Sequence, residues 1–179
     1  YKFDQRFDLS KEPNEPHRFG WVVEIDPRDP SALPVKRTAL GRFKHENAEL
    51  VIAQDGRVVV YLGDDERGEH IYRFVSRDTY NPTNQDANRK LLDEGERFVA
   101  KFNEDGSGEW LSLCHGQNGL TAENGFANQA DILIHARQAA TFVGATTMDR
   151  PEWVAVHPHE PMVFCTLTNN KNRGVADSQ

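Results

Sequence analysis

The chain contains no apolar run approaching the ~20 residues that span a bilayer. A hydrophobic content of 37% with a mean hydropathy of −0.70 describes a soluble, loop-rich protein, so no membrane role is expected. Cysteine is nearly absent: Cys114 and Cys165 are the only two in 179 residues. That is too few for a disulfide framework, and their separation lacks the paired spacing of a zinc site. Each is expected as a packed core thiol. A bridge between them would need a close approach that spacing alone does not fix. A basic excess is missing too. Acidic residues number 28 against 21 basic ones, the net charge is −7, and no basic stripe forms, so nucleic acid is not an expected partner. His45, His115, His157 and His159 lack the His-Glu-x-x-His spacing of zinc hydrolases. Nucleophile elbow, phosphate loop and dinucleotide fingerprint are all absent, which removes serine hydrolases of that type, nucleotide-loop enzymes and Rossmann oxidoreductases as leading readings. The first residue is Tyr1 rather than Met, and a strand pattern begins by Gly20-Trp21-Val22. The expectation is a segment of a longer protein, for which a missing leader says nothing about export.

What is present is mostly strand. Trp21 to Ile25 ends at Asp26-Pro27, Val35 to Leu40 follows, and His70 to Val75 alternates toward a solvated face. Between them Glu49 to Ala53 and Val58 to Leu62 flank Asp55-Gly56, which predicts a hairpin with a primed turn, both central residues at positive φ. A second hairpin is expected from Glu96–Phe102 and Glu109–Leu113 around Asn103 to Gly108. Residues 77–95 read as loop with one helical turn near Ala87 to Leu92, and 114–127 as a long connection. One helix is predicted over about 129–143. Asn128 would be its N-cap, Ile132, Ala136, Ala139 and Val143 its apolar stripe, and Gly144 its C′ residue. The tail from Asn169 to Gln179 is nearly free of apolar residues and is expected to be mobile. The fold class is therefore mainly β with one inserted helix.

Two stretches resemble each other at a distance of about a hundred residues. Glu46 to Glu66 and Glu152 to Asn170 both run acid, strand, tight turn, strand, polar cluster. Repeating sheet units deliver this pattern when one end of each is aimed at a shared site. Glu46, Glu49 and Glu152 are the acids that lead into strands, and hard cations such as Ca²⁺ take six to eight oxygens from such separate positions. Glu152 stands between Pro151 and an apolar strand, so it is presented from a rigid edge. Glu49 is a reserve ligand, since its distance to the following strand matches that of Glu152 better than that of Glu46. Asp64, Asp65 and Glu66, taken alone, read as solvated surface beside a turn. Arg150 offers a planar fork suited to two phosphate or carboxylate oxygens, which Lys would not reproduce. Its bland alternative is an ion pair with Asp149 or another nearby acid.

At these residues the chain resembles the PhoX-type alkaline phosphatases. The matching blocks are Gly20 to Pro27, Lys36 to Glu46, Val59 to Arg67, Met148 to Trp153 and Cys165 to Asn170, in that order along nearly the whole sequence. The resemblance implies a six-bladed β-propeller phosphomonoesterase, exported to the periplasm or secreted, with calcium and ferric iron at the propeller's centre. It implies that residues 1–179 form a single unit of about two to three blades, that Glu46 and Glu152 are metal ligands, and that Arg150 contacts the phosphate. The family's iron-binding cysteine lies in a Cys-Glu-Glu block that neither Cys114 nor Cys165 matches, so the chain would hold part of the site and be inactive alone. Small phosphate monoesters are the implied substrates, and unpaired blade edges would permit self-association. Two other readings stay open: a calcium propeller of lactonase type, which has less need of Arg150, and a non-catalytic propeller acting as a binding or scaffold module.

Overall fold

The computed structural model describes residues 4–175. These residues are mainly β and form three antiparallel sheets. The central one is a five-stranded meander in sequence order: β3 (His45–Ile52), β4 (Arg57–Asp64), β5 (Ile71–Thr79), β6 (Gly95–Phe102) and β7 (Gly108–Ser112). A two-stranded sheet of β1 (Val23–Glu24) and β2 (Val35–Lys36) precedes it, and a hairpin of β8 (Pro151–Val156) and β9 (Val163–Leu167) follows.

The meander's period-two pattern sorts its faces. Val58, Val60 and Leu62 of β4, Tyr72 and Phe74 of β5 and Val99 of β6 lie on one face and are buried. Leu40, Leu113, Leu120, Phe126, Ile132, Ala136, Ala139 and Ala140 cover them, completing a single core. The connection over 114–127 is thus more than an excursion, since it delivers Leu120 and Phe126 to that core. The short α1 (Gln85–Asn88) is capped by Asn84 and sits slightly before the expected helical turn.

Four local expectations are corrected. The helix over 129–143 is two helices, α2 (Gln129–Ile134) and α3 (Ala136–Phe142), broken at His135 with φ −104° and ψ 43°. The carbonyls of the last turn of α2 point elsewhere: Ile132 O accepts from Arg97 Nη2 at 3.1 Å, Leu133 O from Arg42 N at 3.0 Å and Ile134 O from Arg42 Nε at 2.9 Å. With those acceptors spent on two arginines the i→i+4 ladder stops, and the cations also suit the negative end of the helix. The caps themselves are as read: Asn128 Oδ1 accepts from Ala130 N and Asp131 N, and Gly144 takes φ +82°. The β3–β4 turn is not primed. Only Gly56 has positive φ, and Gly56 N bonds Ala53 O at 2.9 Å, a type I turn closed by a left-handed glycine. Val35 to Leu40 is strand only over β2, because Arg37 turns inward onto Glu24 (2.8 Å) and Asp93 (2.7 Å) while Leu40 enters the core. The cysteines are also unlike their expectation: both are free and half-buried rather than core. Of the tail, residues 176–179 lie outside the described ones, whereas Arg173 pairs with Asp149 and donates to Thr147 O at 2.9 Å.

On the meander's other face lies the β8–β9 hairpin. Gly63 makes this possible, since a Cβ there would meet Glu152 O at 2.7 Å and Pro151 O at 2.8 Å. Asn47 then acts as a surrogate peptide. Its Nδ2 donates to Val154 O at 2.7 Å and its Oδ1 accepts from Val154 N at 3.0 Å, satisfying both backbone groups of a buried residue.

Candidate active site

The docking of β8 against β4 brings the polar cluster that ends β4 beside the residues that open β8. Several backbone bonds fix this end. Asp65 N bonds Lys44 O at 3.0 Å, Gly68 N bonds Met148 O at 2.9 Å, Met148 N bonds Glu69 O at 2.8 Å and Thr168 N bonds Asp149 O at 3.0 Å. Arg67 and Asp149 add a β-bridge. Between these stitches Arg150 adopts φ +57°, a left-handed conformation that costs a non-glycine residue about 1–3 kcal/mol and persists only when the surroundings enforce it.

The Arg150 guanidinium meets Asp65 through Nε to Oδ1 at 3.0 Å and Nη2 to Oδ2 at 3.1 Å. Nη2 also lies 3.4 Å from Glu152 Oε1, which accepts in addition from Thr168 Oγ1 at 3.1 Å. Arg150, Asp65 and Glu152 are 29%, 22% and 27% exposed, shielded enough from water to strengthen their attraction.

Behind this group is a second charged layer. Asp64 is fully buried and takes a two-toothed contact from Arg137, 2.7 Å from Nε to Oδ2. Glu69 lies 3.7 Å from the same arginine, and its Oε2 is buried without a hydrogen bond. Burial pushes the Glu69 carboxyl up to about 7, with the Asp64 and Glu66 charges adding to it and Arg137 opposing it. Glu66 is held down at about 2 by Lys44 and by the Arg67 N–H. Next to β3's start, burial holds the His45 imidazole at about 4, so it is neutral at pH 7, with Nε2 3.0 Å from Gly41 O.

Among the residues singled out from sequence, the structure brings Arg150 and Glu152 into contact. Glu46 lies exposed on β3 with no partner among the described residues. Glu49 is committed elsewhere: its Oε1 accepts from Val156 N at 3.2 Å, fixing the hairpin farther along β8. Asp64 and Asp65, read alone as solvated surface, are the main departures. One is a core carboxylate and the other is the chief partner of Arg150. A signal for Asp64 was available, because it continues the alternation Val58, Val60, Leu62 into the core face. For Asp65 none was, as its partner is 85 residues away.

The family model for alkaline phosphatase PhoX matches residues 1–179. The chain belongs to the PhoX alkaline phosphatase family. Among solved structures, Pseudomonas fluorescens PhoX in complex with vanadate, described as a transition state analogue, superposes with a TM-score of 0.94 at 59% identity. The match covers 99% of this chain and 32% of that one, so the chain spans about a third of that structure's length. No curated protein matches.

In this PhoX family member, Glu46 and Glu152 are oxygen donors of the type that calcium and ferric iron accept. In number they fall short. Among the described residues no three or more His, Cys, Asp or Glu side chains converge as metal donors, whereas calcium alone takes six to eight oxygens. A complete metal site is therefore not built from the described residues. No helix among them is long and apolar enough to cross a membrane.

Proposed function

We propose that this chain is a central segment of a six-bladed β-propeller phosphomonoesterase, contributing about two to three blades and part of the active site. The observation that carries the reading is Arg150. A guanidinium held at a strained backbone position, partly exposed beside the carboxylate that opens β8, is suited to recognition. Its planar fork suits two oxygens of a phosphoryl group, and its charge opposes the negative charge spread over those oxygens as the P–O bond breaks. Family membership supports the reaction class, release of inorganic phosphate from small phosphate monoesters; in this reading the enzyme would be exported, to the periplasm or secreted.

Calcium and ferric iron belong to this reading as ions for which Glu46 and Glu152 would be two ligands, the other donors lying outside the described residues. The segment alone would then be inactive. Apolar positions on the outer strands support the view of sheets made to be covered by others: Leu50 and Ile52 on β3, Trp153 on β8 and Phe164 on β9 are all about half exposed. Left uncovered, these surfaces would also favour self-association. The test is turnover by the full-length metal-loaded enzyme. A phosphate monoester should be hydrolysed and a chelator should abolish the activity, while the isolated segment should be inert. Lactone hydrolysis without phosphatase activity would favour a lactonase-type propeller instead. Absence of any turnover, with no calcium-dependent rise in melting temperature, would indicate a binding or scaffold module.

A further inference from the structure

A guanidinium has two hydrogen-bonding edges, the side made by Nε with one terminal nitrogen and the end made by the two terminal nitrogens. Asp65 faces the side of Arg150, accepting a hydrogen bond from Nη2 at 3.1 Å on Oδ2, while its Oδ1 lies 3.0 Å from Nε as an ion pair and is buried without a hydrogen bond. Nη1 has no hydrogen-bond partner among the described residues. Asp65 is itself anchored, for its backbone N–H donates to Lys44 O at 3.0 Å at the start of β3.

Glu152 is the other carboxylate within ion-pair distance, 3.4 Å from Nη2, and it also takes the Thr168 hydroxyl. Without Asp65 the attraction of Arg150 for Glu152 would have no competitor. The guanidinium would swing onto Glu152, and both groups would be withdrawn from whatever binds there.

We propose that Asp65 is a positioning residue for the phosphatase reaction. It locks the side edge of Arg150 so that the Nη1 end is presented to a phosphoryl oxyanion, and it keeps Arg150 from neutralising Glu152. This rests on the reading of Arg150 as the phosphate-binding arginine.

The experiment is a double-mutant cycle in the full-length metal-loaded enzyme. Asp65→Asn, Arg150→Ala and the double variant are compared for kcat and KM on a small phosphate monoester, for inhibition by inorganic phosphate, for metal content and for melting temperature. Asp65→Asn is nearly isosteric, and Asp65→Glu serves as a second variant that restores the charge. Asp65→Asn should lower kcat/KM about 10- to 100-fold and weaken phosphate inhibition in parallel, with metal content kept. Asp65→Glu should recover part of the loss. In the Arg150→Ala background the Asn substitution should cost less than about twofold, because its effect passes through Arg150. Additive losses, or loss of metal in Asp65→Asn, would overturn the proposal. An intact Asp65→Asn enzyme beside a crippled Arg150→Ala enzyme would overturn it while sparing the reading of Arg150. Full activity in Arg150→Ala would overturn both.

Discussion

Replacing Gly63 by alanine should strike stability and activity through one steric contact. Gly63 sits in β4 between two fully buried residues, Leu62 and Asp64, and its φ is not in the left-handed region, so conformation is not what demands glycine. Space is. The added Cβ would lie 2.7 Å from Glu152 O, 2.8 Å from Pro151 O and 3.1 Å from Pro151 C. Ordinary C···O contacts begin near ~3.3 Å, so β8 must retreat by roughly 0.5 Å. These are backbone atoms of a paired strand and cannot rotate aside. Overpacking of this kind costs about 1–3 kcal/mol, and in a full-length enzyme about three times as long as this segment each kcal/mol lowers the melting temperature by about 1 °C. A fall of roughly 1–3 °C is expected. Arg150 and Glu152 flank Pro151 and would move with β8, while Asp65 would stay with β4. Since a 1 Å misplacement can cost about 100-fold, a loss near 10-fold in kcat/KM is expected. Gly106→Ala is the control: its φ of +85° is strained for alanine, but no atom lies within 4 Å. It should lose about 1 kcal/mol and keep its activity. The assays are melting curves and phosphate-monoester kinetics on the purified full-length enzyme. A Gly63→Ala protein that melts with the parent and retains full activity would refute the packing argument.

Asn47→Ala should destabilise by about 2–4 kcal/mol, because it leaves both the N–H and the C=O of buried Val154 unpaired at about 1–3 kcal/mol each. Asn47→Asp should also destabilise, by setting an oxygen against Val154 O; a neutral melting curve for both would count against the surrogate-peptide role. Glu69 supplies a pH effect. Its folded pKa of about 7 lies above the ordinary 4.5, so the folded state holds the proton more tightly than the unfolded one. Its contribution is fully present below about pH 4.5 and is lost as pH rises toward 7, a change of order ~1–3 kcal/mol after allowing for partial exposure. Glu69→Gln should flatten stability over that window, and an unchanged pH–stability profile would contradict the assignment.

How much of this was readable beforehand divides along physical lines. Strands set by period-two alternation were legible, as were the Asn128 and Gly144 caps and the hairpin positions, because each depends on a few adjacent residues. The break at His135 was not, since it arises from Arg42 and Arg97 capturing carbonyls from elsewhere in the chain. The turn type at Asp55-Gly56 was misread because Asp-Gly also suits a turn with only the glycine left-handed. At the site, Pro151 and the following apolar strand pointed to Arg150 and Glu152. The role of Asp65 depends on how two sheets dock, and that is fixed by Gly63 and Asn47, whose importance appears only once β8 lies across them.

The central claim is that Arg150 recognises the phosphoryl group, and Arg150→Lys tests it most directly. Lysine keeps the charge near Asp65 but lacks the planar two-toothed fork. Metal content and melting temperature should be retained in the full-length enzyme. Transition-state stabilisation should fall by about 2–4 kcal/mol, read as a loss of kcat/KM on a small phosphate monoester. Undiminished kcat/KM would contradict the account, and a large fall in melting temperature with a matching fall in activity would make Arg150 a structural ion pair with Asp65.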